Sequence, residues 1–463
     1  MRFSVDRTWR RPRQGDVVLA GSPTRAFRLT AGGRRVAELI ERGDEVPASA
    51  WALVERLVDA GAIHPLADPS RHTLGAENVT AVIPVHFGEG ADTKPLATLV
   101  GQLKGLAGIV VVDDASPCAL PDLVAGDTKV SVVRRDSNGG PAAARNTGLD
   151  HVRTSHVVFI DDDVDCCTDD VTALAAWFVA SDASVIAPRI RTADDGTTLG
   201  AYEAARSPLD MGDRPARVRA TTRVGWLPAA VLLCEVDALR SVAGFEEAMR
   251  TGEDVDLVWR LDAAGFRCRY EPSIEVRHRR RATAVGMMRQ RVGYGESTAA
   301  LRRRHGDNVA PARGSWTSVS SWVALALGLP IVAACTAVAT AVMLTRKLRS
   351  VANSTSETAQ LAWKTHLQVG RNLAAAATRV WWPIALVLAV FSRRARMALC
   401  AAAVVPAFAE WWEKRPRLDP VRFTLLRMVD DAAYGAGVWK SVARERNVAP
   451  LLPAITRPTT PNR

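Results

Sequence analysis

The residues of this chain best suited to chemistry form one acidic run, Asp161-Asp162-Asp163-Val164-Asp165. The preceding stretch, Val157 to Ile160, is apolar and rich in β-branched residues, which predicts a buried strand. Four carboxylates within five positions repel one another and favour a nearby cation. Because ligands bind at the carboxyl ends of parallel strands, and carboxylate oxygens suit Mg²⁺ or Mn²⁺, we predict a metal site here. The alternative is a solvated acidic turn.

A second pair of carboxylates, Asp113 and Asp114, follows another uninterrupted apolar strand. At that position they can accept hydrogen bonds from a base or a ribose hydroxyl. Further along, Gly139-Gly140-Pro141 predicts a helix start that allows close backbone approach. Arg145 and Asn146 lie one turn into this helix and are suited to meet a phosphate, although such a helix often only packs on the sheet. The spacing fits neither a dinucleotide-binding motif nor a P-loop, which disfavours NAD binding and ATP hydrolysis.

Strands alternate with helices from Asn78 onward, which predicts an α/β fold with a doubly wound, mostly parallel sheet. The predicted strands are Val79–Val85, Ile109–Asp114, Val130–Val133, Val157–Ile160, Ser184–Pro188 and Val231–Cys234. The predicted helices are Lys94–Leu106, Gly140–Leu149 and Val236–Val242, and a further helix begins at Glu253. Polar residues therefore collect at strand ends along one edge of this sheet.

Composition limits the class of protein. With 463 residues, 48% apolar and 24% charged, the chain is expected to fold into two or three domains. Its net charge of +11 favours anionic partners such as nucleotide phosphates or a lipid surface. The seven cysteines form neither paired motifs nor a disulfide framework, which fits a reducing cytoplasm. The segment from Met1 to Gly21 is basic but has no apolar core, so we expect no signal peptide.

Residues 1–75 predict a small domain of their own. A strand hairpin spans Val17 to Leu29, Thr30 caps a helix to about Glu41, and a second helix spans Ala48 to Ala60. Helices with a β-wing resemble a winged-helix module similar to the peptide-binding domains of modified-peptide biosynthesis. DNA binding is disfavoured because the second helix carries no basic stripe, so no nucleic acid partner is expected. A packing or dimerisation domain remains open.

Residues 306–463 predict a helical, membrane-associated region, which would place the chain on the cytoplasmic side of the cell membrane. Trp322 to Leu344 has 23 residues without a charge, long enough to cross a bilayer, although a buried soluble helix is the alternative. Trp381–Phe391 and Met397–Phe408 are too short to span and suggest interfacial segments. The pairs Trp381-Trp382 and Trp411-Trp412 fit a headgroup belt.

The order and spacing of these motifs resemble the family 2 glycosyltransferases of the GT-A fold, which use nucleotide sugars and a divalent metal. The motifs are Val82-Ile83-Pro84-Val85, Val112-Asp113-Asp114, Asn138 to Asn146 and Phe159 to Asp163. The middle Asp162 departs from the commoner Ser or Ala of the family pattern. This resemblance implies a donor site made by Pro84, Val85, Asp113, Asp114, Asn138, Arg145, Asp161 and Asp162.

The resemblance also implies roles in the second half of the chain. Inverting transfer needs a carboxylate base, and the family places it in a Glu-Asp motif like Glu253-Asp254, so Asp254 is our candidate. A plain N-terminal charge bias is the alternative. The resemblance implies that Asp163, Asp161 and His278 bind the metal, while Arg279-Arg280-Arg281, with Arg289 and Arg291 as weaker candidates, could neutralise a diphosphate. The acceptor region is assigned to Asp210, Trp226, Leu227 and Pro228.

Within this family the chain is similar to the glycosyltransferases of mycofactocin biosynthesis along nearly its whole length. Ser207 to Gly212, Ala187 to Ile190 and Arg250 to Leu261 add to that resemblance. It implies transfer of glucose, from UDP-glucose, onto a small peptide-derived redox cofactor or its precursor, building a short oligosaccharide. Two alternatives stay open: a membrane-bound glycosyltransferase of polysaccharide or glycolipid synthesis, and a non-catalytic peptide-binding scaffold.

Overall fold

The computed structural model describes residues 1–11, 16–67, 74–118, 120, 127–279, 283–348 and 355–456. The chain divides into two compact units. The first contains Met1–Asp195 and Arg206–Arg280, and the second contains Gly196–Ala205 and Arg281–Arg463. Each unit is described separately below.

The first unit begins with a small module. Its elements are β1 (Phe3–Val5), β2 (Val17–Ala20), β3 (Arg25–Arg28), α1 (Ala31–Arg42), α2 (Trp51–Asp59) and β4 (Ile63–Pro65). The hairpin and both helices are confirmed, and the Thr30 hydroxyl caps α1 by accepting from the Gly33 amide at 3.1 Å. Strand β1, which pairs antiparallel with β4, was not predicted. The winged-helix likeness and peptide binding remain predictions.

The rest of the first unit is built on a large sheet. Its strands are β5 (Val79–Val85), β6 (Gly108–Asp113), β7 (Val130–Arg134), β8 (His156–Ile160), β9 (Val164–Asp165), β10 (Val185–Thr192), β11 (Ala216–Arg217), β12 (Val231–Glu235) and β13 (Cys268–His278). Its helices are α3 (Lys94–Gln102), α4 (Pro141–Asp150), α5 (Thr168–Ala180), α7 (Val236–Ser241) and α8 (Glu253–Ala263); α6 (Thr198–Arg206) lies mostly in the second unit.

The sheet is mixed, which corrects the expectation of a mostly parallel one. The strand order is β11-β13-β10-β12-β8-β5-β6-β7, with β9 paired to β13. Strands β5, β6, β7 and β8 pair in parallel, but β12 runs antiparallel to both β8 and β10. A parallel neighbour needs a crossover on a sheet face, whereas the long excursion that precedes β12 lets the chain re-enter in the opposite direction.

Helices cover both faces of this sheet because its central strands are apolar on both sides. In β8, Val158 and Ile160 pack with α3 and α5, while Val157 and Phe159 pack with α4, α7 and α8. Helix α4 lies unusually close to the sheet: a Cβ on Gly148 would be 2.3 Å from Val82 Cγ1. Both faces of β8 are therefore buried, and the acidic run follows at its carboxyl end, where the chain leaves the sheet.

The second unit is mainly helical. Its elements are α9 (Ala284–Glu296), α10 (Thr298–His305), β14 (Arg313–Ser315), α11 (Trp316–Ala326), α12 (Pro330–Leu348), α13 (Thr355–Arg379), α14 (Trp382–Phe391), α15 (Arg393–Lys414), α16 (Pro420–Glu445) and β15 (Ala454–Thr456). Helices α9 and α16 cross at glycines, since a Cβ on Gly295 would lie 2.1 Å from the Tyr434 carbonyl oxygen. This close crossing brings the two helices into extensive contact.

The apolar run from Trp322 to Leu344 is not one helix. It is divided between α11 and α12 at Leu327-Gly328-Leu329, where Gly328 has a φ of +74°. Among the described residues, no single helix has both the length and the apolarity to cross a bilayer. One bent pair, Ala359–Arg379 with Trp382–Phe391, meets that test only when the two helices are taken together, with an 87° bend.

The tryptophan pairs are largely used for packing inside the second unit. The Trp381 indole N–H donates to the Leu451 carbonyl at 2.8 Å, and that of Trp411 donates to the Leu418 carbonyl at 2.7 Å. Of the four predicted belt residues only Trp412 is exposed. Trp381 and Trp411 thus use their indole N–H groups within the unit. A headgroup belt formed by the two pairs stays a prediction.

Candidate functional site

One buried guanidinium joins the two acidic stretches that the sequence singled out. Arg145 on α4 donates from Nη2 to Asp161 Oδ1 at 2.6 Å and from Nη1 to Glu253 Oε1 at 2.8 Å. The side chain is only 4% exposed and its Cζ lies 5.4 Å from the centre of the Phe245 ring. The end of β8 and the start of α8 therefore meet at Arg145, although 92 positions separate their carboxylates (Asp161 and Glu253).

The start of α4 is held in place by Asp114, which lies at the end of β6. Its carboxylate accepts from the Gly139 amide at 3.0 Å, from the Gly140 amide at 2.7 Å and from Arg135 Nη1 at 2.7 Å. A side chain on Gly139 would collide with Arg135, and Gly140 has a φ of +90°. Gly140 is thus required by the backbone conformation of the turn. The turn aims α4 so that Arg145 reaches the acidic strand end.

Two side chains from the same region fix the loop that leads into α8. Asn146 accepts from the Phe245 amide at 2.8 Å and donates to the Phe245 carbonyl at 2.9 Å. Arg250 donates to Asn138 Oδ1 at 2.8 Å and to its carbonyl at 3.1 Å. The family motif from Asn138 to Asn146 therefore positions the Glu253-Asp254 pair. Within this motif, both terminal nitrogens of Arg145 and the Oδ1 atom of Asn138 bind other protein groups. We had predicted both side chains to face the donor.

The triple-aspartate turn is closed by β13. Strand β9 pairs with β13 so that Val164 lies opposite His278, and His278 Nε2 lies 3.2 Å from Asp163 Oδ2. The Arg279 amide donates to the Asp163 carbonyl at 2.8 Å, and its guanidinium donates to the Asp162 carbonyl. The structure thus places His278 beside Asp163. A metal shared by Asp161, Asp163 and His278 stays a prediction. Arg280 and Arg281 lie outside the described residues.

The start of β12 connects the acidic turn to Asp254. The Asp161 amide donates to the Ala230 carbonyl at 3.0 Å, and the Ala229 backbone hydrogen-bonds the Asp254 carboxylate. Asp254 Oδ1 also accepts from the Val255 amide at 2.8 Å. Asp254 is half-buried beside the site and is held by backbone groups. Its side chain is consequently oriented before any substrate binds.

The electrostatics of the site follow from burial and crowding. Burial, reinforced by the charge of Glu253 and opposed by Arg145, raises the pKa of Asp254 to about 7. Burial, followed by Asp163 and Asp161, raises the pKa of Asp162 to about 6. Burial also raises the pKa of Asp161 and of Glu253, with Arg145 opposing both shifts. Burial alone would lower the pKa of Arg145, but Asp161 and Glu253 raise it.

The donor set at the triple-aspartate turn fits a divalent cation. Asp163 offers hard carboxylate oxygens and His278 an imidazole nitrogen at the same point. Across the part of the chain that the structure describes, no group of three His, Cys, Asp or Glu side chains is arranged to enclose a metal by itself. Mg²⁺ is commonly held by one or two protein ligands together with substrate phosphates, which is the kind of site that Asp163 and His278 suit.

The remaining predicted donor residues are buried in the sheet. Pro84 and Val85 lie within β5, and Val85 stands opposite Asp113 in the register with β6. Asp113 accepts from Arg134 and from the Ser116 amide at 2.9 Å. Asp113 and Asp114 therefore have protein partners for their carboxylates. A contact with a nucleoside stays a prediction for both.

The predicted acceptor residues lie in the excursion between β10 and β12. Asp210 forms a fork with Arg189, both nitrogen–oxygen distances being 2.9 Å, and also accepts from the Gly212 amide. Leu227 and Pro228 are buried, and Trp226 is half-buried. Asp210 is thus a loop anchor in this structure. An acceptor role for the four residues stays a prediction.

One weak candidate for a diphosphate contact is corrected. Arg291 is buried inside the second unit, where it pairs with Glu203 and Asp430. Its guanidinium is held by side chains and is not presented to a ligand. Conversely, sequence reasoning missed Phe245 and Arg250 as supports of the site. No local signal marks them, because their partners, Asn146 on α4 and Asn138 in the turn before it, lie about one hundred positions away in sequence.

The arrangement is suited to one type of chemistry. Side chains suited to a hard cation, a buried guanidinium and a carboxylate with a pKa of about 7 lie around the carboxyl end of β8 and the start of α8. Such a carboxylate can take a proton at neutral pH. The cation site is suited to phosphate oxygens. Both features are appropriate for transfer of a group from a diphosphate to a hydroxyl.

A comparison with solved structures gives partial similarity. The mannosyltransferase PcManGT from Pyrobaculum calidifontis, in complex with GDP-Man and Mn²⁺, matches with a TM-score of 0.46 and 15% sequence identity. The match covers 86% of this chain and 94% of that one.

Sequence comparison is decisive for the family. Residues 80–235 match the model of glycosyl transferase family 2. The pre-mycofactocin glycosyltransferase of Mycobacterium tuberculosis is 36% identical over 468 residues, which cover 97% of both chains. The succinoglycan biosynthesis protein ExoO of Rhizobium meliloti is 28% identical over 42% of this chain and 59% of its own. The chain is therefore a glycosyltransferase with a GT-A-like α/β fold, and it belongs to family 2 and, within it, to the pre-mycofactocin glycosyltransferases.

Proposed function

We propose that this enzyme transfers glucose from UDP-glucose onto pre-mycofactocin and repeats the transfer to build a short oligosaccharide. The acceptor is supported by the name of a relative that matches along 97% of both chains. The succinoglycan protein, which would favour polysaccharide synthesis, matches only 42% of this chain. The sugar and the repeated transfer rest on the family resemblance.

The observation that carries the proposal is the bridge made by Arg145. By holding Asp161 at 2.6 Å and Glu253 at 2.8 Å, it places the triple-aspartate turn beside the start of α8. Two separate acidic stretches then serve one reaction centre, with the cation site at Asp163 and the base at Asp254. Unlike a purely structural ion cluster, this one adjoins two further carboxylates at a turn that is partly open to solvent, since Asp161 is 30% exposed.

Asp254 is proposed as the general base of an inverting transfer. Its carboxylate takes the proton from the acceptor hydroxyl while that oxygen forms a bond to the anomeric carbon. The bond from the anomeric carbon to the diphosphate oxygen breaks, and its electron pair leaves with the diphosphate. Because the acceptor attacks from the side opposite the diphosphate, the anomeric configuration inverts. A pKa of about 7 suits this proton transfer near neutral pH.

Asp163 and His278 are the residues that would hold Mg²⁺ or Mn²⁺, with Asp161 as the third candidate. When bound there, the cation would neutralise the negative charge of the departing diphosphate. Arg279, whose guanidinium lies against the Asp162 carbonyl, is suited to add positive charge at the same place. Glu253, fixed by Arg145, keeps the start of α8 in position and raises the proton affinity of Asp254.

The test is a transfer assay with the purified full chain. Pre-mycofactocin and UDP-glucose are incubated with enzyme, and hexose additions to the acceptor are measured by mass spectrometry. We expect successive additions of one hexose mass, lost on adding a chelator and restored by excess Mg²⁺ or Mn²⁺. Parallel reactions with other nucleotide sugars and with a polyprenyl phosphate acceptor test the alternatives. Transfer to the lipid acceptor but not to pre-mycofactocin would refute the proposed acceptor.

A matched pair of variants tests the cation site. Asp163→Asn removes a carboxylate charge beside His278, and we expect transfer to fall by about 10²-fold or more with weaker donor binding. Asp165→Asn is the control, because it lies two positions further on and pairs with β13 through its backbone. Equal activity of the two variants would contradict the assignment of Asp163.

A further inference from the structure

The second unit exposes an apolar tip, formed by residues 325–332 at the turn between α11 and α12 and residues 387–391 at the end of α14. The most exposed side chains are Phe391 at 85%, Ile331 at 78% and Val390 at 71%. Leu325, Leu327, Leu329, Val332, Val387 and Leu388 are exposed as well. A cluster of large apolar side chains at one tip marks an interaction surface, whereas single exposed residues do not.

Two arginines near the start of α15 hydrogen-bond to the backbone of the two parts of the tip. Arg394 Nη1 donates to the Leu327 carbonyl at 2.8 Å, and its Nε lies 3.1 Å from where a Cβ on Gly328 would be. Arg396 Nη1 donates to the Ala389 carbonyl at 2.9 Å. Carbonyls at the ends of α11 and α14 are normally left to water. Here guanidinium groups satisfy some of them, which reduces the cost of moving the tip out of water.

The positive charge near the tip favours an anionic partner. Along the sequence, residues 308–409 contain eight Arg and two Lys but a single acidic residue, Glu357. Of these, Arg394 and Arg396 donate to carbonyls of the tip segments, and Arg393 adjoins them. Arg393 and Arg394 lie directly at the tip and both are exposed. Apolar side chains surrounded by cations match a surface that is apolar below and anionic above, which is the chemistry of an anionic lipid leaflet.

A second copy of this chain is a poorer partner for the same surface. In a symmetric dimer the same patch meets itself, so the tip arginines of one copy would face those of the other. Such like-charge contacts are costly. Anionic headgroups instead offer a partner for Arg393 and Arg394 while Phe391 and Ile331 enter the acyl region.

We propose that the apolar tip inserts into the headgroup–acyl boundary of an anionic lipid surface and attaches the enzyme to it. Insertion buries Phe391, Val390 and Ile331, and Arg393 contacts lipid phosphate. This inference goes beyond the proposed function, since it concerns the second unit and does not depend on the donor or the acceptor. The sequence predicted membrane association of this region. The tip identifies the residues that would make it.

The test is vesicle flotation of the full chain. One set of vesicles contains phosphatidylcholine alone, and in the other part of it is replaced by phosphatidylglycerol. We expect the unchanged protein to float with anionic vesicles. The double variant Ile331→Asp with Phe391→Asp should reduce the bound fraction about tenfold or more, because two large apolar groups are lost. Arg393→Glu should reduce binding to anionic vesicles only.

Val448→Asp is the matched control, because Val448 is 61% exposed in the same unit but lies outside the tip. It should float like the unchanged protein. Circular dichroism and light scattering on all variants report folding and oligomeric state. Equal flotation of the double variant and the control would overturn the proposal. So would a change in oligomeric state without a change in flotation, which would identify the tip as a contact between copies.

Discussion

Two buried arginines, one in each unit, make nearly the same ionic cluster. Arg145 in the first unit bridges Asp161 and Glu253, and Arg291 in the second bridges Glu203 and Asp430. Each arginine links carboxylates that are far apart in sequence, and each is buried within its own unit. Both are therefore buried ion clusters, each built on one guanidinium.

The difference lies in what surrounds the carboxylates. Glu203 and Asp430 are each 6% exposed, and the Tyr202 hydroxyl donates to Asp430 Oδ2 at 2.9 Å. Asp161, in contrast, is 30% exposed and is followed by two further aspartates. A buried ion cluster that is closed on all sides fixes the fold. One that opens toward solvent and adjoins more carboxylates has the capacity to bind a ligand.

The largest effect is expected at the cluster of the first unit, where Asp254 is the proposed base. Asp254→Asn keeps the size of the side chain but removes the base, so kcat should fall about 10²- to 10⁴-fold. Donor binding should change little because Asp254 faces the acceptor hydroxyl in the proposed reaction. Steady-state kinetics together with calorimetric titration of UDP-glucose give both quantities. A parallel loss of donor affinity would count against the assigned role.

The next test substitutes both arginines by lysine. Arg145→Lys and Arg291→Lys each keep a charge but lose the fork that holds two carboxylates, and each should cost about 2 kcal/mol in the free energy of unfolding. Urea unfolding gives that value. Only Arg145→Lys should also lower kcat per folded molecule, by about tenfold or more, because α8 is no longer held to the acidic turn.

The two substitutions to lysine also serve as controls for each other. If Arg291→Lys lowered kcat per folded molecule as much as Arg145→Lys, the contrast between a functional and a structural cluster would be wrong. If neither variant changed kcat, Arg145 would be a fold-stabilising residue only.

The pH dependence of activity and stability tests the ionisation of Asp254. Because Asp254 must be ionised to act and its pKa is about 7, kcat/KM should fall about tenfold per pH unit below that value. The folded pKa lies above the unfolded one, so ionised Asp254 costs stability as the pH rises through about 7. Asp254→Asn should therefore be more stable than the unchanged enzyme at pH 8 and nearly equal to it at pH 4, as unfolding midpoints would show.

The smallest effect is expected in the closed cluster. Tyr202→Phe removes the hydrogen bond to Asp430 and should lower the free energy of unfolding by about 1 kcal/mol. Steady-state kinetics should show kcat unchanged. A clear loss of kcat in this variant would mean that the second cluster is coupled to catalysis.

Local sequence was sufficient to predict much of the first unit. The strands β5, β6, β8 and β12 and the helix α4 were predicted because each combines an apolar run with clear flanking signals. The antiparallel direction of β12 was not predicted, since it depends on the path of the long excursion that precedes this strand. The break at Gly328 was also missed, although Gly328 followed by Pro330 is a local signal for the end of one helix and the start of the next.

The sequence by itself determined which groups are available: the carboxylates after β8, the Glu-Asp pair and the basic C-terminal region. Only the tertiary structure decided how they are used. Asp114 supports a turn, Asn146 supports a loop, and Arg145 joins two carboxylates where the sequence suggested a phosphate contact. The physical reason is that a buried charge must find its partner wherever the fold brings one, and that partner lies too far along the chain for local spacing to reveal it.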